Sequence, residues 1–331
     1  MQRTTSRFLF ISVAIIALLN AACKNKQKDV HPANKNFIVD ITYGTNKNWK
    51  GKREDLKLDV YKPTNAEKGK NYPLIVYLHG GGFFTGDKSK EYDRCLMLAD
   101  SGFVVACINY RLGWTKGTGS CEGNIEELYH AGYRSIQDVN AALRFLVSKS
   151  NEYNIDTSWI FLAGSSAGAI SILHAAYLND STAAKFFSTA IKTSGSLFTA
   201  DNDLKNKYSI KGICSISGGL VDSNLINPSI AIPIIFFHGE NDKTVPVDYG
   251  HYASCDNYPF LFGSKCLYRQ LASQNVAAVA HILPDAAHGE EGESEYTDAF
   301  RMSNTACFFH SLMSHQTTQS GLYIGKESNC R

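Results

Sequence analysis

Unbroken apolar runs alternate along this chain with segments whose apolar residues recur every three or four positions. The runs are "PLIVYLH" (73–79), "FVVACINY" (103–110), "WIFLAG" (159–164), "IKGICSIS" (210–217), "PIIFFHG" (233–239) and "AAVAHILP" (277–284). A strand is apolar on both faces only where both faces are buried, the condition of a parallel sheet covered by helices. Two earlier runs, "FIVDITY" (37–43) and "LKLDVY" (56–61), alternate polar and apolar residues as half-exposed edge strands do. Helical spacing is clearest in "YRSIQDVNAALRFLVSKS", where Ile136, Val139, Leu143 and Leu146 share one face. Helical patterns also fit 88–101, 167–178, 262–275 and 294–314. The alternation predicts an α/β fold with a mostly parallel, eight-stranded sheet and helices on both faces. In such sheets ligands bind beyond the carboxyl ends of the strands.

The first 36 residues stand apart from this pattern. Arg3 and Arg7 precede an apolar run from Phe8 to Leu19, and small residues then lead to Cys23. That is the layout of a secretory signal, and its apolar run is too short for a mature membrane span. Ala21-Ala22-Cys23 is similar to a bacterial lipobox, with Asn20 standing where leucine is usual. The sequence thus predicts a signal peptide over 1–22, a lipidated Cys23 and a polar tether over 23–36. Residues 37–331 are expected to form a single domain. The expected place is the bacterial cell envelope, periplasmic or at the surface, with a lipid anchor as the membrane contact.

The net charge of +2 gives no basis for nucleic-acid binding. A 44 % apolar fraction supports a sizeable core. Export changes how the cysteines read. Apart from Cys23 they stand at 95, 107, 121, 214, 255, 266, 307 and 330, an even number that permits disulfides in an oxidising compartment. None forms the C-x-x-C pair of a zinc site. Cys107 and Cys214 fall in apolar strands and are expected to be buried thiols. Cys255 and Cys266 are close enough in sequence to suggest a bridge between them.

The chemistry begins after the fifth strand. Gly164-Ser165-Ser166-Ala167-Gly168 is a G-x-S-x-G, preceded by the strand-like "WIF" and followed by the helix-compatible "AISILHAAYL". By itself the pattern is weak, and a small-residue loop would also produce it. Strand, sharp turn and helix together are the setting of a nucleophile elbow, with Ser166 exposed at its tip and Ser165 out of register. A serine hydroxyl needs a base. His288 follows the last strand in "ILPDAAHGEEGE". His281 reads as a core residue within that strand, His174 lies within a helix, and His238 has a structural reading at the start of "HGEND". An acid should follow the strand before the base, and Asp242 fits better than Glu240 or Asp248. The order is Ser166, Asp242, His288.

Acyl transfer also needs N–H donors where an oxyanion develops. "HGGGFFTGDK" (79–88) follows the third strand, and its glycines let bare backbone approach that oxygen. Gly81 and Gly82, with Ala167 after the nucleophile, are the expected donors.

These motifs resemble the α/β-hydrolase superfamily. They come close to carboxylesterases with an HGGG oxyanion motif, in the hormone-sensitive-lipase-like and bifunctional feruloyl and acetyl xylan esterase groups. The resemblance spans about 54–315 and includes "LDVYKP", "YPLIVYLHGGGFFTGDK", "GFVVACINYRL", "QDVNAALRFL", "IDTSWIFLAGSSAGA" and "HGENDKTVP". Ile108 to Leu112 and Asp138 are similar to positions that are structural in the family. Two segments depart from it: 113–130 is longer than a minimal connection, and 249–265 is inserted between acid and base. Both are expected near the pocket, with Tyr258, Phe260, Leu261 and Phe262 of the insertion at its rim.

The resemblance implies a serine ester hydrolase without metal or organic cofactor. The substrates it implies are small-molecule esters or esters linked to polysaccharide, with short acyl or feruloyl groups. A peptidase of prolyl-oligopeptidase type shares triad and fold, but usually carries a large N-terminal domain where about 36 residues stand here. A non-catalytic surface binding module is the other alternative, and loss of a triad member is its usual sign.

Overall fold

The computed structural model describes residues 36–290, 297–314, 320–325 and 327–330. The expected signal peptide, Cys23 and all but the last residue of the tether lie outside the described residues. The strands are β1 (Phe37–Lys47), β2 (Arg53–Tyr61), β3 (Tyr72–Leu78), β4 (Val104–Ile108), β5 (Ile155–Ser165), β6 (Ile210–Ile216), β7 (Gly219–Leu220), β8 (Ile234–Gly239), β9 (Tyr249–His251), β10 (Phe260–Gly263), β11 (Ala278–Leu283) and β12 (Gly321–Ile324). The helices are α1 (Tyr92–Asp100), α2 (Ile125–Ser148), α3 (Ser150–Tyr153), α4 (Ala167–Tyr177), α5 (Asp180–Phe186), α6 (Ser188–Ser194), α7 (Ser264–Ser273) and α8 (Asp298–Met313).

All eight expected strands form, but among the described residues the sheet has nine. Its order is β1-β2-β4-β3-β5-β6-β8-β11-β12. The pairs β1–β2 and β2–β4 are antiparallel, and the rest of the sheet is parallel. The added edge strand β12 pairs with β11 through Val279 and Gly321. Its four residues alternate half-buried and exposed, too short a pattern to mark a strand. A second sheet, β7-β10-β9, is built largely from the 249–265 insertion.

The unbroken apolar runs are explained by two cores. Along β3, Leu74, Val76 and Leu78 enter one core, while Ile75 and Tyr77 enter the other. The first core also takes Ile136, Val139, Leu143 and Leu146 of α2, the expected helix face, with Leu267 and Leu271 of α7. The second takes Cys95 and Leu98 of α1 with Phe308 and Phe309 of α8. Each fully buried side chain of this size contributes about 1.5–3 kcal/mol before conformational entropy is subtracted.

The loop after β4 is fastened to α2 by a buried ion pair. Asp138 accepts from the backbone N–H of Arg111 at 2.5 Å and from its Nε at 2.8 Å. Arg111 Nη2 also lies 3.1 Å from Asp201.

The cysteines require a correction. Cys255 does not meet Cys266. It lies beside Cys121, 134 residues away in sequence, with Cα atoms 5.3 Å apart. Strand β10 runs between Cys255 and Cys266, and extended backbone at about 3.3 Å per residue holds them apart. Cys266 is a free thiol on α7. Cys307 and Cys330 also come to disulfide distance, with Cα atoms 5.6 Å apart. Cys107 and Cys214 are buried free thiols, as their strands implied.

Candidate active site

Strand β5 ends at Ser165 and α4 begins at Ala167, so Ser166 occupies the turn between them. Its φ is 52° and its ψ −121°, a strained conformation for a residue with a side chain. The turn is held by the Ser166 N–H, which donates to the Ile216 carbonyl at 2.8 Å. A Cβ at Gly168 would collide with the carbonyl oxygens of Leu78 and His79, so only glycine lets α4 start this close to the end of β3.

Ser166 Oγ lies 2.8 Å from His288 Nε2. His288 Nδ1 lies 2.7 Å from Asp242 Oδ2. These side chains come from three connections, after β5, β11 and β8, at the carboxyl ends of parallel strands, with β6 between β5 and β8. Asp242 is further tied down by the Thr244 and Val245 N–H groups, which donate to Oδ1 at 2.8 and 2.9 Å. Burial opposes its ionisation, but the hydrogen bonds and charges of His238 and His288 outweigh burial and hold the carboxyl well below the usual range.

The competing residues fall elsewhere. Asp248 pairs with Arg269 and Glu240 with Lys265 at the surface. Ser165 Oγ meets Tyr77 Oη at 3.1 Å and accepts from Arg94 Nη1 at 3.2 Å. His174 and His281 are buried, and burial lowers each to a pKa of about 4. His174 Nδ1 is bonded to the Ile170 carbonyl, and His281 Nε2 meets the Asn329 side chain.

Gly81, Gly82 and Ser166 line one cleft, and Ala167 begins α4 directly after Ser166. The Gly81 carbonyl accepts from Phe84 and Thr85, each at 3.0 Å, and in a trans peptide the Gly82 N–H points the opposite way. The Gly80 carbonyl accepts from His79 Nδ1 at 2.7 Å, which turns the Gly81 N–H outward by the same logic. The Ser166 carbonyl accepts from Ile170, so the Ala167 N–H faces out of the start of α4. Among the described residues no protein acceptor takes these three groups. A Cβ at Gly81, where φ is 115°, would run into the Thr85 carbonyl, which accounts for the middle glycine. The loop is braced by Trp114 Nε1, which donates to the Gly82 carbonyl at 2.9 Å, and by Tyr110 Oη, which donates to the His79 carbonyl at 2.9 Å.

A cleft of about 710 Å³ opens over Ser166 and His288. Both departing segments reach it, one through Trp114 and 116–121, the other through Tyr252, Ala253 and Tyr258. Of the rim aromatics expected from the sequence, only Tyr258 lines the cleft. Phe260, Leu261 and Phe262 belong to β10, and Phe260 faces solvent. Two contributors were not legible in the sequence. Tyr252 was hidden in an insertion with no periodic pattern. His238, which reads as structural, places Nε2 3.1 Å from Asp242 Oδ2, and its spacing of four residues from that acid was the available signal.

This sheet with its strand-end site defines an α/β-hydrolase fold. The family model BD-FAE, of bifunctional feruloyl and acetyl xylan esterase-like proteins, matches residues 58–222. The cAMP-regulated D2 protein of Dictyostelium discoideum is 32 % identical over 163 residues, which is 49 % of this chain and 28 % of that protein. Carboxylesterase 1C of Rattus norvegicus is 30 % identical over 168 residues, again 49 % of this chain and 28 % of the relative. The chain thus spans under a third of the length of these relatives. Thermogutta terrifontis esterase 2 phosphorylated by paraoxon superposes with a TM-score of 0.58 at 18 % identity, covering 87 % of this chain and 98 % of that one. A truncated carbohydrate esterase from gut microbiota gives a TM-score of 0.55 at 18 % identity, covering 84 % and 96 %. The chain thus has the α/β-hydrolase fold, and over 58–222 it is similar to the BD-FAE family.

Proposed function

We propose that this protein is an exported serine carboxylic-ester hydrolase. The observation that carries the reading is the hydrogen-bonded line from Ser166 through His288 to Asp242, at 2.8 and 2.7 Å, beside three N–H groups without a protein acceptor. His288 Nε2 takes the proton of Ser166 Oγ as that oxygen attacks the ester carbonyl carbon. Asp242 keeps the proton of the neutral ring on Nδ1 and stabilises the imidazolium that forms. Gly81, Gly82 and Ala167 receive the oxyanion, and removal of one such donor typically costs about 10²–10³ in kcat. His288 protonates the departing alcohol, water attacks the acyl-enzyme with His288 as base, and the acid leaves.

The substrate class is short-chain acyl or feruloyl esters of plant polysaccharide. The BD-FAE match and the carbohydrate esterase neighbour support it. So does a cleft lined by aromatic side chains and the polar 116–120 segment. The leader-like residues 1–22 and the lipobox-like Cys23 support export and a lipid anchor in the cell envelope. In that oxidising compartment Cys121–Cys255 and Cys307–Cys330 close as disulfides.

The deciding experiment is a panel of acetyl, butyryl, octanoyl and feruloyl esters beside a dipeptide amide, with Ser166→Ala as control. Turnover of esters but not of the amide, lost in the variant, is the expected result. An inert wild type overturns the reading.

A further inference from the structure

Behind the oxyanion loop lies a second, smaller cavity of about 40 Å³, room for about three water-sized groups. Its walls come from the elements that supply the oxyanion donors. Phe83 follows Gly82, and Ile170, Ser171 and His174 lie on α4, which begins at Ala167. Leu128, Ile136, Phe187 and Leu261 complete an apolar lining. The serine and histidine there are already satisfied. Ser171 Oγ donates to the Ala167 carbonyl at 2.7 Å, His174 Nδ1 donates to the Ile170 carbonyl, and His174 Nε2 accepts from the Val221 N–H at 3.3 Å. The space therefore offers a ligand little beyond apolar contact.

Tyr252 is the one described residue that lines both this cavity and the cleft over Ser166. It is buried, and a Cβ added at Gly82 would lie 3.2 Å from its hydroxyl oxygen. Its ring is held in place. Tyr258 stacks against it with centroids 6.1 Å apart, and Trp114 meets Tyr258 edge-on at 6.1 Å. The Tyr252 N–H donates to the Pro259 carbonyl at 2.9 Å, and the next N–H, of Ala253, donates to Thr244 at 2.7 Å.

We propose that Tyr252 sets the acyl-chain limit of this site: its ring walls off an apolar subsite that would otherwise take a short aliphatic tail. The inference rests on the ester-hydrolase reading. A carbonyl oxygen held by Gly82 and Ala167 places its acyl carbon beside Tyr252, so the wild-type site stops at the ring. Without the ring, the tail runs on between Phe83 and Ile170. Each methylene moved out of water there is worth roughly a factor of four in affinity.

The test compares kcat/KM for nitrophenyl acetate, butyrate and hexanoate. Tyr252→Ala is expected to raise the hexanoate-to-acetate ratio at least about tenfold over wild type. Tyr252→Phe, which keeps the ring, leaves the ratio unchanged. Adding Val221→Phe to Tyr252→Ala refills the cavity and returns the ratio towards wild type. Thermal melting checks folding, and Tyr252→Leu is read by the same ratio if the alanine variant does not fold. An active wild type with an unchanged ratio in a folded Tyr252→Ala or Tyr252→Leu overturns this inference alone. A wild type that turns over no ester overturns the ester-hydrolase reading and this inference with it.

Discussion

His238 brings Nε2 to 3.1 Å from Oδ2 of Asp242, the same oxygen that His288 Nδ1 meets at 2.7 Å. Two imidazoles thus converge on one carboxylate oxygen. Ser264 Oγ lies 2.7 Å from His238 Nδ1 and the Val245 carbonyl 3.0 Å from Nε2. That arrangement fits a ring that accepts from Ser264 and donates from Nε2. Asp242→Asn replaces an acceptor-only oxygen and disturbs the tautomer of His288. Steady-state kinetics should show kcat down by about 10³–10⁴. Asp248→Asn touches only the surface pair with Arg269 and should stay within about twofold. A steep fall in Asp248→Asn with an active Asp242→Asn would reverse the assignment of the acid.

The depressed pKa of Asp242 also predicts a pH dependence of stability. A carboxyl held below its unfolded value contributes stability that is complete above about pH 4 and is lost as the pH falls below it. Wild type should therefore lose more Tm between pH 5 and pH 3 than Asp242→Asn does. Equal acid sensitivity of the two proteins would count against an ionised, strongly bonded Asp242.

Asp201 has the opposite sign. Burial and the neighbouring Asp138 raise its pKa, and Arg111 only partly offsets them. A raised carboxyl makes the native state bind more protons than the unfolded chain, so its contribution weakens as pH rises from about 4 towards the raised value. Asp201→Asn should flatten the Tm profile over that span at little cost near neutrality. Asp138→Asn instead strips Arg111 of its two-point partner and should cost about 3–5 kcal/mol. Denaturant titration of both variants at pH 5 and pH 8 checks the pair.

The two serines of the elbow separate cleanly. Ser166→Ala should abolish ester turnover with the fold intact by circular dichroism. Ser165→Ala removes a partner of Tyr77 and Arg94, so the expected loss is about 1 kcal/mol of stability with kcat within several-fold. Comparable kinetic damage from both substitutions would mean that Ser165 shares the chemistry.

Legibility in the sequence followed periodicity. The eight strands were visible because burial on both faces leaves unbroken apolar runs, as the split of Leu74 and Ile75 between two cores illustrates. Ser166, Asp242 and His288 were visible because each follows such a run. The pairing of Cys255 was not, because its partner Cys121 is fixed by tertiary folding and not by nearness in sequence. Tyr252 escaped for a related reason. Its neighbours His251 and Ala253 carry no repeat, and its contacts with Gly82 and Tyr258 arise only when the insertion folds back over the elbow. Strand β12 was too short to show a period.

The pairing of Cys121 with Cys255 can be tested directly. Cys121 ends the 116–121 segment of the cleft lining, and Cys255 closely follows Tyr252 and Ala253, which also line it. A bond between them closes a loop of 134 residues, worth up to about 5 kcal/mol in the chain-entropy model. Peptide mapping without reductant should recover the two segments joined, with Cys266 open to alkylation once the chain is unfolded. The Cys121→Ser/Cys255→Ser double variant should melt lower. It should also raise KM for esters of bulky alcohols, because the two lining segments lose their clasp. Its kcat on a small acetate should change little, since neither cysteine touches Ser166 or His288. Cys307→Ser/Cys330→Ser removes a link between α8 and the C-terminal segment, away from the cleft lining, and should lower Tm without moving KM. A Cys255–Cys266 peptide would reject the pairing. Equal KM changes in both double variants would show that the clasp acts through general stability and not through the cleft.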